Sequence, residues 1–149
     1  MKVYVLHYLY YEESTIRSVY TEEAMRQELV QYAEWGRANN EKAIAEQERR
    51  IEELKKQRKA LGQEDRKIQE KQTELKAVSE KTEEMVQLEK DLRHRRKEVV
   101  RKMDQLAMSI HNQEYGLEKM KSLTDEQLAE REMERNNLYF EEFYVLGME

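Results

Sequence analysis

The sequence predicts an α+β protein that is mostly helical. A small antiparallel sheet is formed by the two chain ends, and a long antiparallel helical hairpin, a coiled coil, is inserted between them. Three observations carry this expectation. Ala, Glu, Lys, Leu and Arg make up 78 of the 149 residues and Pro is absent, the composition of long helices. Seven of nine Tyr and both Phe lie in the first 20 or last 12 residues, and aromatics favour half-buried pleated surfaces. Between the ends, apolar residues recur on a seven-residue repeat, the signature of a coiled-coil seam.

Residues 2–11, KVYVLHYLYY, are rich in β-branched and aromatic types and read as a strand. Glu12, Glu13 and Ser14 interrupt the pattern and Thr15 to Tyr20 resumes it, which predicts a β-hairpin. The first strand is apolar on both sides. It is therefore either covered on both, within the monomer or by a homodimer mate, or it keeps one face for a partner. Thr21-Glu22-Glu23 starts a helix, with a hydroxyl cap followed by anions at the positive end of the dipole. Thr124 with Gln127 is a capping box; it opens a short helix, 125–136, that Asn136-Asn137 ends. LYFEEFYVL, 138–146, is the final strand. Residues 1–36 and 107–149 thus form a small αβ module and 37–106 the hairpin.

Within the hairpin the repeat changes phase across Leu61-Gly62-Gln63-Glu64-Asp65. Gly ends helices well, so a tip near 62–67 is one explanation; a stutter in a continuous helix is the other. Layer matching favours the tip. If facing positions sum to 129, Ile51 meets Val78, Ile44 meets Met85 and Leu54 meets Leu75, while polar layers such as Gln47 with Thr82 meet polar ones, except for Arg58 with Lys71 and Arg37 with Leu92. Ile110, Leu117 and Met120 then continue the seam beyond the first arm, which predicts a homo-oligomer, a dimer first of all.

The net charge of −5 hides a strong asymmetry. Residues 1–36 sum to −3, 124–149 to −6 and 90–102 to +5. His7, His94 and His111 have no second ligand at helical spacing, there is no Cys, and no phosphate-binding glycine loop occurs. No metal, cofactor or enzymatic activity is expected. No run of eighteen apolar residues or secretory signal occurs, so a cytoplasmic protein is expected. Two surfaces stand out. Tyr4, Tyr8, Tyr10, Glu12, Glu13, Glu141, Glu142 and Tyr144 give the sheet an acidic, aromatic character suited to a basic protein surface, such as a nucleic-acid-binding cleft. Arg93, Arg95, Arg96, Lys97, Arg101 and Lys102 form a basic patch that is either a solvated helix face or a nucleic-acid site. Lys55-Lys56-Gln57-Arg58-Lys59 is a weaker one.

The opening MKVYVLHYLYYEESTIRSVYTEEA and the closing LYFEEFYVLGME resemble small uncharacterised proteins of Gram-positive bacteria and their phages. In those a β-hairpin, a helix and an acidic-aromatic C-terminal strand make one module, and the coiled-coil insertion departs from that pattern. The resemblance covers about 36 residues and transfers no site residues. It implies a phage-type accessory protein that binds and blocks a host or defence factor, acting in the host cytoplasm. The expected function is therefore a non-enzymatic protein-interaction module, an inhibitor. The alternatives are a structural coiled-coil scaffold and a nucleic-acid binder working through 90–102.

Overall fold

In the computed structural model, which describes residues 1–10 and 13–145, the element order is ββααα β. Strands β1 (Lys2–Tyr10) and β2 (Glu13–Tyr20) precede three helices, α1 (Glu22–Lys76), α2 (Glu83–Lys121) and α3 (Asp125–Arg135), and strand β3 (Leu138–Tyr144) closes the fold. The sheet is antiparallel with order β2-β1-β3, so both chain ends pair on the same central strand. The chain ends do form one sheet, and the two long helices pack against each other as a hairpin.

Each helix starts where a hydroxyl caps it. Thr21 Oγ1 accepts from the Ala24 amide at 3.2 Å. At α3 the Thr124 hydroxyl accepts from the Gln127 amide at 3.2 Å and the Gln127 side-chain oxygen accepts from the Thr124 amide at 2.9 Å, a capping box that satisfies two backbone donors reciprocally. Asn137, at φ 57°, supplies the left-handed residue between α3 and β3, a conformation Asn tolerates better than most.

The hairpin tip is not at 62–67. Helix α1 runs without interruption through Gly62 to Lys76, and the chain reverses over 77–82. Thr82 caps α2 by accepting from the Met85 amide at 3.2 Å, with Glu83 and Glu84 in its first turn. A glycine inside a helix costs about 1 kcal/mol, and the seam on either side of Gly62 outweighs it. Leu61 is half-buried, Ile68 and Leu75 are buried, and Met103 Cε lies 3.7 Å from the space a Gly62 Cβ would fill. The phase change is thus a stutter in a continuous helix. Facing positions sum to 159–161, as in Gln47 with Gln113, Glu64 with Arg95 and Asp65 with Arg96. The register built on 129, with Ile51 against Val78, is wrong, since Val78 lies in the turn.

Two compact units result. One comprises 1–45 with 119–149, the other 46–118; the sequence boundaries had been 36/37 and 106/107. In the first unit, Leu6, Tyr32, Ala33, Ala129, Met133 and Leu138 form the core, with Tyr8, Tyr20, Leu29 and Phe140 packed against it. Helices α1 and α3 cross closely at Gly36, where a Cβ would stand 2.5 Å from the Leu128 carbonyl oxygen. In the second unit Ile51, Ile68, Leu75, Val99 and Ile110 are buried, Val99 completely. Ile110 finds its cover within one chain, so the argument for a dimer drawn from an unpartnered seam no longer stands.

Candidate functional site

Alternation along the strands assigns the sheet residues to two faces. Leu6, Tyr8, Leu138 and Phe140 point to the core, and Tyr4, Tyr10, Glu142 and Tyr144 share their parity. Glu13 stands opposite Tyr10. Glu141 lies on the other face with His7. The acidic-aromatic set is therefore split. Tyr4 and Tyr8 are half-buried; Tyr10, Glu13, Glu142 and Tyr144 are exposed. Glu142 bridges to Lys2 at 3.1 Å, and Lys2 Nζ lies 5.5 Å from the Tyr144 ring. The hydrogen bond to Glu142 holds the Lys2 ammonium above its usual pKa. Tyr8 takes Arg17 over its ring at 5.0 Å. Glu12 lies outside the described residues.

The outer face carries an arrangement that helical spacing could not reveal. His7 is buried although it lies on the face away from the core cluster. Its Nδ1 is 3.0 Å from Ser14 Oγ, which is 2.9 Å from Tyr139 Oη. Its ring stacks on Tyr139 at 4.8 Å. Glu141 Oε2 approaches Nε2 to 3.0 Å as an ion contact without hydrogen-bond alignment. The partners come from β2 and β3, residues 14, 139 and 141, and only sheet register brings them together. Around this cluster Ile16, Val19, Leu9 and Phe143 are exposed.

One concave feature of the first unit is a groove of about 650 Å³ bounded by α1, α3 and β3; a second, lined by Tyr8, Arg17, Trp35 and Arg135, measures about 590 Å³. The floor of the larger groove is apolar: Met25, Leu29, Val30, Ala33, Ala129, Met133, Leu138 and Phe140. Val30 is 58% exposed there. The rim is charged. Arg26 is tied to Glu22 at 2.9 Å and Arg37 to Asp125 at 2.8 Å. The hydrogen bond to Asp125 raises the Arg37 pKa. Glu126, Glu130 and Glu134 form no ion pair among the described residues, while Glu34 lies close enough to Arg37 to help raise its pKa. The rim is therefore acidic in effect, within a unit holding nine basic and fifteen acidic groups. The groove was not legible in the sequence, because it arises where α3 leaves part of the α1 stripe uncovered.

The basic patch also divides. Arg95 is committed to Glu64 at 2.7 Å and to Glu98 at 3.2 Å, and Arg96 to Asp65 at 3.2 Å. The hydrogen bond from Arg95 holds the Glu64 carboxyl below its ordinary range. Arg93, Lys97 and Arg101 line a separate groove with Val100 and are exposed, and Lys102 lines another beside Glu64. No group of three metal-capable side chains occurs among the described residues, and none of their helices is long and apolar enough to cross a membrane. Comparison with protein-family models, curated proteins and solved structures finds no match.

Proposed function

We propose that this is a non-enzymatic protein-interaction module whose acidic unit captures a basic amphipathic segment of a partner protein. The observation that carries this reading is the groove, in which an apolar floor accepts side chains and uncompensated carboxylates line the rim. Apolar anchors at helical spacing fill such grooves, and charges around them choose the partner. The same unit of a second copy is a poor occupant, because the unit carries six more acidic than basic groups and would repel itself. Covering a basic segment that its owner uses to hold nucleic acid makes the protein an inhibitor. That role agrees with the resemblance of the chain ends to phage accessory proteins and with action in a host cytoplasm against a host or defence factor.

The test is calorimetric titration with a Leu/Lys amphipathic helical peptide and a Leu/Glu peptide of equal length. Micromolar binding of the Leu/Lys peptide alone is expected. It should weaken at least tenfold, about 1.4 kcal/mol, in V30K/E130K, two exposed positions whose replacement leaves the core intact. Equal binding of both peptides, or no loss in the variant, would overturn the reading.

A further inference from the structure

The corrected register has an electrostatic result of its own. It lays residues 55–67 of α1 beside 93–105 of α2, so two basic stretches that are separate in sequence lie alongside one another within the second unit. Together 55–67 and 90–102 hold thirteen basic groups against four acidic ones. Glu64, Asp65 and Glu98 are consumed by Arg95 and Arg96. Arg58, Lys59, Arg93, Lys97 and Arg101 are all exposed, and no ion pair engages them among the described residues. A solvated helix face normally alternates its charges at i,i+4 and pairs them. Here Glu64, Asp65 and Glu98 are spent on the seam, and Asp104 is the one acid that lines the groove with Arg93, Lys97 and Arg101, so the outer cations outnumber it.

We propose that this part of the helical hairpin is a sequence-independent docking stripe for the backbone of duplex nucleic acid. Arg93, Lys97 and Arg101 are four residues apart, so they share one face of α2 at steps of about 6 Å. Arg58 and Lys59 lie level with Arg101 on α1 by the register. A duplex presents one phosphate charge per about 1.7 Å of axis, so a straight row of cations meets phosphate throughout its length. Guanidinium groups, which supply three of these five cations, match phosphate oxygens in bidentate geometry. Binding of single strands uses aromatic side chains on which bases stack, and none is interleaved with either stretch. Val100 and Met108 are the exposed apolar residues beside the stripe. Two such side chains offer little to insert into a bilayer, which favours a rigid polyanion over an anionic membrane.

Fluorescence anisotropy with two unrelated DNA duplexes, using the full chain, tests the proposal. Both should bind with equal affinity, and log K should fall steeply with log salt. R93E/K97E/R101E, all exposed, should keep the helical circular dichroism. It should lose at least about tenfold in affinity at moderate salt and lower the salt slope by about 2.7, one phosphate contact per cation at about 0.9 each. No binding at low salt, affinity unchanged in the variant, or tighter binding of polyglutamate or anionic vesicles than of DNA would each overturn it. Loss of duplex binding together with intact Leu/Lys peptide binding keeps this outcome separate from that of the acidic groove.

Discussion

Gly36 shows how one missing carbon sets a helix crossing. Helix propensity alone favours Ala there by about 1 kcal/mol. The added Cβ would stand 2.5 Å from a backbone oxygen that cannot rotate away, and overpacking costs about 1–3 kcal/mol. A backbone clash this close takes the upper end of that range, so G36A is expected to destabilise the first unit by about 2 kcal/mol net, read as a lower urea midpoint; an unchanged or raised midpoint would show that α3 shifts freely. Val99, fully buried, tests the other unit. V99A removes two methyl groups' worth of burial and should cost about 2 kcal/mol, from about 0.8 per buried carbon plus a cavity, in the same measurement. At this scale the sequence was only partly readable. Thr21, Thr124, Gln127 and Asn137 announced their roles, because capping depends on neighbours in the chain. His7 did not, because its partners Ser14, Tyr139 and Glu141 are fixed by pairing between strands.

Elements were legible in kind and misjudged in one boundary. Thr82-Glu83-Glu84 has the same form as Thr21-Glu22-Glu23 and Thr124-Asp125-Glu126, and all three begin helices. A register summing to 129 sets Thr82 opposite Gln47 as a polar layer of the seam, and it gives Gly62 the weight of a stop signal. Matching of apolar layers could not expose the error, since a heptad pattern with many polar breaks fits several registers. Disulfide trapping separates them. Q47C/Q113C should oxidise within one chain, because those side chains touch, whereas I51C/V78C should not; bridging needs Cα atoms within about 7 Å. The reverse outcome would restore the shorter hairpin. Acid provides a further check on the same pairing. Arg95 lowers the Glu64 pKa from its ordinary 4.5. The pair's contribution is then complete above that pH and disappears as pH falls through the lowered value. A gap in urea midpoint between wild type and E64Q at neutral pH should close as the pH falls below the ordinary carboxylate range; a gap that persists would assign the loss to packing.

For the whole molecule the distribution of charge was legible from the start, but its consequence depended on register. An acidic unit, nine basic to fifteen acidic, and a nearly neutral one, eighteen to seventeen, follow from where the helices turn. With Ile110 covered internally and the first unit self-repelling, light scattering at micromolar concentration should return a mass near 18.2 kDa; twice that mass would place a second copy on the exposed apolar residues of the outer sheet face. The strand order has a consequence for synthesis. Strand β1 takes the central place, yet its partner β3 is encoded at the far end, with Lys2 opposite Tyr144. Helices form from local contacts, while pairing across such a separation is slow. During translation at about 5–20 residues per second, β1 must therefore spend several seconds with one edge bare. Among the described residues β2 is its one strand partner in that interval, and the nascent chain is most open to mispairing until β3 has left the ribosome.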